Sequence, residues 1–98
     1  MVDHAKDLPD LPPLLDQAIL DPLLPRDTLL ELCDAGRQEH VRAISTSLTQ
    51  LPLLRDRLGG TDGGPVLIAV VGFPFGAIPA TLKKAEAEWA AAHGAQEL

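Results

Sequence analysis

Asp16 is the first residue whose chemistry needs an explanation, because it lies inside an otherwise apolar run, LLDQAIL (residues 14–20). An ionised carboxylate in such a strand is costly unless it is paired, hydrogen-bonded or directed into a polar cavity. Acidic residues whose pKa is shifted by such an environment are typical of functional sites, although structural ion pairs also shift pKa values. Asp16 is therefore a candidate site residue.

The second candidate is the stretch GFPFG (residues 72–76). It follows the apolar run VLIAVV and precedes a helical pattern, and active sites of α/β proteins lie where strands end in this way. A tight turn with packed aromatic rings would explain the same residues, and the sequence alone leaves both interpretations open.

Other reactive residues give weaker signals. The stretch GGTDGG (residues 59–64) is glycine-rich but precedes a strand, whereas a phosphate-binding loop follows a strand and opens a helix. The histidines, His4, His40 and His93, lie in the tail or at helix ends and form no ligand cluster. Cys33 is the single cysteine and lies among leucines, which predicts a small buried hydrophobe and excludes a cysteine-based metal framework.

Length and composition limit the classes of function. The 98 residues suffice for one small domain, and a net charge of −6 with scattered basic residues argues against nucleic-acid binding. The longest apolar run is interrupted by prolines and glycines, which argues against a membrane span. We expect no metal, no other cofactor, no nucleic-acid partner and no membrane partner. The acidic, proline-broken N-terminus and the single cysteine predict a cytoplasmic protein.

The elements that position these candidates alternate between strand and helix. After a proline-rich lead-in at residues 1–13, strands are predicted at 14–20, 41–46 and 66–71, helices at 28–40, 48–58 and 80–93, and the start of a fourth strand at 96–98. Strands that alternate with helices of this length imply βαβ units and a parallel sheet.

Three details of the helices can be predicted from residue type. Asp27 is expected to cap the first helix, and Ser47 with Gln50 resembles a capping box for the second. Buried faces follow from helical spacing: Leu29, Leu32, Cys33 and Gly36 on the first helix, and Leu82, Ala85, Trp89 and Ala92 on the third.

Four segments together resemble a known family: LLDQAILDP, RAISTS, AVVGFPFGA and a run K-x-x-E-x-x-x-A-x-x-x-G-A-x-E at residues 83–97. They are similar to the N-terminal part of deoxyribose-phosphate aldolase, with divergent cyanobacterial-type sequences as the nearest match. The resemblance implies the first three βα units and the start of strand four of a (β/α)8 barrel, with residues 14–98 as its N-terminal segment.

The resemblance also implies an activity. Members of the family are class I aldolases that split 2-deoxy-D-ribose 5-phosphate into glyceraldehyde 3-phosphate and acetaldehyde, in deoxyribonucleotide catabolism. The reaction passes through a lysine Schiff base and needs no metal. By correspondence, Asp16 is a supporting catalytic residue near that lysine, and Leu20, Ser45 and Phe73 belong to the substrate pocket.

The chain departs from the family pattern around its second strand. Ser45 replaces a usual cysteine, His40 a helix-ending glycine, Arg42 an alanine and Gln17 a frequent histidine. The Schiff-base lysine and the acid/base aspartate of the family fall beyond Leu98, and Lys83 and Lys84 lie on a helix. We therefore expect the chain to be a fragment that is inactive alone.

Two other functions remain open. An arc of three strands leaves a face of roughly 240 Å² and two strand edges uncovered, and that face forgoes about 6 kcal/mol of burial. We therefore expect the isolated chain to be poorly folded or to self-associate. The first alternative function is a non-catalytic α/β interaction module that self-associates or pairs with a barrel protein. A small phosphate-binding α/β domain is the weaker alternative.

Overall fold

The computed structural model describes residues 10–59 and 63–98 and contains the three strand–helix units that the sequence predicts. A short 3-10 turn, Pro12–Leu14, precedes the first strand. The strands are β1 (Asp16–Ile19), β2 (Ala43–Thr46) and β3 (Val66–Ala69), and the helices are α1 (Arg26–Gln38), α2 (Leu51–Leu58) and α3 (Ala80–Ala92). Most of the predicted lead-in, together with residues 60–62 of the glycine-rich loop, lies outside the described residues.

The strands form one parallel sheet in the order β1-β2-β3, as the alternation of strand and helix predicts. The predicted start of a fourth strand is confirmed as a parallel bridge between Ile68 and Glu97. Gln96 donates its N–H to the Leu67 carbonyl at 2.8 Å, and Ala69 donates to the Glu97 carbonyl at 3.0 Å. The sheet is therefore an arc that continues one strand beyond β3.

All three helices pack on one face of this sheet. Alternate strand residues point toward them and form the core with apolar residues of each helix. The buried cluster comprises Ile19, Leu29, Cys33, Ile44, Leu51, Leu54, Leu58, Leu67, Ala69 and Ala90. The opposite face, called the open face below, carries Asp16, Ala18, Ala43, Ser45, Val66 and Ile68. Asp16 and Ala18 are exposed there, and Ser45 is half-buried.

Helix α1 begins earlier than the sequence predicts. Its N-terminal cap is Pro25, which has an extended backbone, and Asp27 lies in the first turn without a capping side-chain bond, so that prediction is wrong. Burial of Leu29, Cys33 and Gly36 is confirmed, whereas Leu32 is partly exposed. Burial also raises the pKa of the Cys33 thiol, in keeping with a structural hydrophobe.

Helix α2 begins later than predicted, at Leu51, with Gln50 as its N-terminal cap and Pro52 in its first turn. Ser47 does not cap it through a side chain. The Ser47 hydroxyl donates to Gln50 Oε1 at 3.1 Å, and the Ser47 carbonyl accepts from the N–H groups of Gln50 and Leu51. The predicted capping box is therefore absent. Ser47 and Gln50 instead close a turn that precedes the helix, through their side chains and the Ser47 carbonyl.

Helix α3 presents a different face from the one predicted. Leu82 and Trp89 are 53% and 40% exposed, whereas Ala90 is fully buried and Lys83 and Glu86 are half-buried. The predicted apolar stripe thus points away from the core. The alanine-rich helix contacts the sheet through one small residue, and its polar pair faces the turn that follows β3.

Candidate functional site

The four predicted site residues divide between two ends of the sheet. Asp16 is the first residue of β1 and pairs with Ala43 of β2. Ser45 lies two residues beyond Ala43, beside Ala18 and Ile68 on the open face. Leu20 directly follows β1, and Phe73 lies in the loop after β3, so both are at the carboxyl ends of the strands. At about 3.3 Å per residue, Asp16 and Leu20 are separated by roughly 13 Å along the strand. Leu20, Ser45 and Phe73 thus lie toward the carboxyl ends of the strands. Asp16 lies at the amino end of β1, and the amino ends of the strands are called the base of the sheet below.

A single guanidinium engages the Asp16 carboxylate. Arg42 donates from Nε to Asp16 Oδ1 at 2.7 Å and from Nη2 to Oδ2 at 2.8 Å. It also donates to both carboxylate oxygens of Glu97, at 2.9 and 3.2 Å. One arginine therefore joins the beginnings of β1, β2 and the fourth strand across the base of the open face. The cluster carries two carboxylates and one cation, so its net charge is −1.

Hydrogen bonds from Arg42 hold the pKa of the Asp16 carboxyl below its ordinary value. A carboxyl with a lowered folded-state pKa stabilises the fold above its unfolded pKa, and this contribution disappears as the pH falls through the folded value. Arg42→Met removes every donor while keeping much of the aliphatic chain. We expect the variant to be less stable than the natural chain at pH 7, and the difference to shrink below about pH 4.

Urea unfolding at pH 7, 5, 4 and 3 checks this expectation. Lys84→Met is the matched control, because Lys84 is exposed and its ion pair with Glu88, at 3.8 Å, lies on the surface of α3. The ion pair between Asp34 and Arg57 is present in every variant and cancels in the comparison. A pH-independent difference between Arg42→Met and the natural chain would show that the cluster does not depend on the ionised carboxylates.

A hydrogen-bond network also orders the carboxyl end of the sheet. The buried Thr46 hydroxyl and the Ser47 hydroxyl both donate to Gln50 Oε1, at 3.2 and 3.1 Å. Gln50 Nε2 in turn donates to the Asp21 carbonyl at 3.2 Å. The loop after β2 is thereby fastened to the loop after β1, next to Leu20.

The turn after β3 has a conformation that requires glycine. Gly72 and Gly76 have φ values of 66° and 69°, and the Gly76 N–H donates to the Gly72 carbonyl at 2.6 Å. The peptide bond between Phe73 and Pro74 is cis. Phe73 and Phe75 are 53% and 89% exposed, so neither ring packs in a closed core among the described residues. The turn therefore presents aromatic surface at the carboxyl end of β3.

Two features of the site were missed by reasoning from residue type. Arg42 was noted only as a departure from the family, although its position one residue before the strand partner of Asp16 places it beside that carboxylate. The role of Glu97 becomes visible only once the fourth strand is paired with β3. His40, in contrast, has a φ of 59°, a left-handed conformation that favours glycine, the residue that the family resemblance implies at this position.

A cleft of about 460 Å³ lies at the amino end of β1 on the helix side. It contacts Asp16 and Gln17 but none of the three predicted pocket residues. Gln17 donates from Nε2 to the Leu32 carbonyl, and its buried Oε1 has no hydrogen-bond partner among the described residues.

No group of acidic, histidine or cysteine side chains in residues 10–59 and 63–98 is arranged to hold a metal ion. None of the helices over those ranges is both long and apolar enough to cross a membrane.

Comparison with known proteins supports the resemblance seen in the sequence. No family model matches the chain. It is 44% identical over 57 residues to the deoxyribose-phosphate aldolase of Rhodospirillum rubrum, a match that covers 58% of this chain and 23% of the relative. It is 33% identical over 89 residues to the deoxyribose-phosphate aldolase of the cyanobacterium Cyanothece sp., covering 91% of this chain and 38% of the relative.

A solved structure titled "QR15, an Aldolase" superimposes with a TM-score of 0.83 at 25% sequence identity, and the match covers 93% of this chain and 39% of that one. The chain thus spans between about a quarter and two fifths of the length of the proteins it matches. In sequence it is similar to deoxyribose-phosphate aldolases, and its three strand–helix units are an incomplete (β/α)8 barrel of the aldolase type.

Proposed function

We propose that these residues supply the first three βα units of a deoxyribose-phosphate aldolase. The observation that carries this proposal is the similarity to relatives of that name across most of the chain, at up to 44% identity. The reaction proposed for the whole barrel is the reversible cleavage of 2-deoxy-D-ribose 5-phosphate through a lysine Schiff base. The fold agrees with this role, since Leu20 and Phe73 lie at the strand ends where barrel enzymes bind substrate.

We infer different tasks for the residues near the carboxyl ends of the strands and for those at the amino end. Leu20, Ser45 and Phe73 provide an apolar wall with one hydroxyl, which suits the short carbon chain of a sugar phosphate. Asp16 and Arg42 form the base. Arg42 already forms an ion pair with the Asp16 carboxylate. The Schiff-base lysine proposed for the whole barrel would therefore lie near a cluster with a net charge of −1 rather than near an unpaired carboxylate.

A chimera tests the proposal. The matched segment of the Cyanothece aldolase, which covers 91% of this chain, is replaced by the corresponding residues of this chain, and acetaldehyde release from 2-deoxy-D-ribose 5-phosphate is followed by coupled oxidation of NADH. We expect cleavage by the chimera. In that background, Phe73→Ala is expected to lower kcat/KM roughly tenfold or more through loss of apolar contact with the substrate.

Phe75→Ala is the matched control, because the Phe75 ring is 89% exposed. It should leave kcat/KM close to that of the parent chimera. A chimera that folds as its parent does, by circular dichroism and mass, but releases no acetaldehyde would refute the proposed function. Equal losses in the two phenylalanine variants would refute only the assignment of Phe73.

Self-association is a second candidate function, favoured by the exposed stripe on α3. Leu82 and Trp89 are 53% and 40% exposed there, and the outer edge of β1 has no strand beside it among the described residues. A second copy of the chain would cover both surfaces. Sedimentation velocity that shows a monomer at every concentration up to the millimolar range would exclude this candidate.

A further inference from the structure

The turn at residues 72–76 is held from outside by two side chains of α3. Glu86 Oε1 accepts the Gly72 N–H at 3.1 Å. The hydrocarbon chain of Lys83 lies over the same turn: a Cβ added at Gly72 would be 3.5 Å from Lys83 Cε, and one added at Gly76 would be 3.9 Å from Lys83 Nζ. Both side chains are half-buried, although both are of types that usually face water.

The Gly72 N–H needs a partner that the turn itself does not supply. Gly72 is buried, and the closing bond of the turn uses the Gly72 carbonyl and the Gly76 N–H. A buried amide without an acceptor is costly, and a carboxylate is the strongest acceptor that a side chain offers. Glu86 meets this need from the second turn of α3, where Lys83 precedes it by three residues on the same face.

This contact occurs together with the observed orientation of α3, in which Leu82 and Trp89 face away from the core. The helix instead buries only Ala90 and directs its lysine and glutamate at the turn. In this orientation Glu86 satisfies the buried Gly72 amide while Ala90 packs against the core.

We propose that Lys83 and Glu86 are positioning residues that fix the turn carrying Phe73. Glu86 sets the direction of the Gly72 peptide by accepting its N–H, and the chain of Lys83 covers the space that the missing side chains of Gly72 and Gly76 leave open. The two residues thereby determine where the Phe73 ring stands at the carboxyl end of β3. The importance of that ring for a sugar phosphate rests on the proposed function, whereas the restraint on the turn does not.

Amide hydrogen exchange in the full chain, measured by NMR, tests the restraint. In Glu86→Ala we expect the Gly72 amide to exchange roughly tenfold faster or more, because its acceptor is lost. Glu86→Gln keeps an oxygen at the same reach and should restore protection to within about threefold of the natural chain. The Phe73 amide shift should move in Glu86→Ala and return in Glu86→Gln.

Two controls separate a local effect from general destabilisation. Glu88→Ala removes an exposed carboxylate from the same helix and should leave Gly72 unchanged. The Val70 amide, which donates to the Thr46 carbonyl at 3.1 Å, reports on the sheet next to the turn. Equal changes at Val70 and Gly72, or equal exchange of Gly72 in Glu86→Ala and Glu88→Ala, would overturn the proposal.

Lys83→Ala and Lys84→Ala make the corresponding pair for the lysine. Lys83→Ala should speed exchange at both Gly72 and Gly76, and Lys84→Ala at neither. If both variants behave alike, Lys83 has no part in holding the turn. A folded but inactive chimera would refute the proposed aldolase function without affecting these exchange results. The proposed function and the proposed restraint of the turn can therefore fail separately.

Discussion

Replacing Ile44 with alanine is expected to lower the free energy of unfolding by about 2–5 kcal/mol, the largest loss we foresee for a single substitution in this chain. Ile44 is fully buried at the centre of the middle strand. Its Cδ1 approaches α1 so closely that a Cβ added at Gly36 would lie 3.3 Å away. With neighbours on both strands and on a helix, the site cannot collapse around the smaller residue, and a cavity remains.

Urea unfolding followed by circular dichroism at 222 nm measures this loss, at one fixed protein concentration so that association contributes equally. Leu23→Ala is the control, because Leu23 is 87% exposed and its truncation should change stability by less than about 0.5 kcal/mol. A small domain has about 5–15 kcal/mol in total, so the Ile44 variant should be close to unfolding. Similar midpoints for the two variants would mean that the core of the sheet is not packed as described.

Gly72→Ala is expected to have the second largest effect, a loss of about 1–3 kcal/mol. The residue has a φ of 66°, where a side chain is strained. An added Cβ would also lie 3.2 Å from the Gly76 Cα, which is backbone and has little freedom to withdraw. Strain and crowding act together, and both disturb the turn that carries Phe73.

Gly63→Ala separates the two causes. Gly63 has a φ of 85°, but an added Cβ would meet nothing within 4 Å. Its substitution therefore reports backbone strain without crowding, and we expect a loss below about 1 kcal/mol. Thermal unfolding of both variants gives the difference. If Gly63→Ala costs as much as Gly72→Ala, contacts with Gly76 and Lys83 add nothing.

The order of elements and the parallel sheet were predictable because each strand is a short apolar run separated from the next by a helix-length segment. The ends of the elements were not. Asp27 has the residue type of a cap, but Pro25 precedes it and fixes an extended backbone two residues earlier. Val70 and Val71 are apolar enough to extend β3, yet the strand ends at Ala69, before the left-handed Gly72.

The face of α3 could not be predicted from hydrophobicity alone. Leu82 and Trp89 suggested an inner stripe, but both are exposed, and the contact between Glu86 and the Gly72 amide joins two segments in a way that no helical pattern reveals. The candidate site shows the same limit. Asp16 was identifiable as a lone acid in an apolar strand. Its partner Arg42 lies 26 residues away, and Glu97 lies 55 residues beyond Arg42, so the three meet only through strand pairing.

The arginine at the base of the arc has a consequence for how this sequence can diverge. Arg42 balances two carboxylates, so its loss alone would leave Asp16 and Glu97 as like charges sharing a small space. A descendant with alanine at position 42 must either gain another cation or lose an acid. The family resemblance implies alanine at position 42 together with acids at positions 16 and 97, a combination expected only where another part of the barrel brings a cation to the two carboxylates.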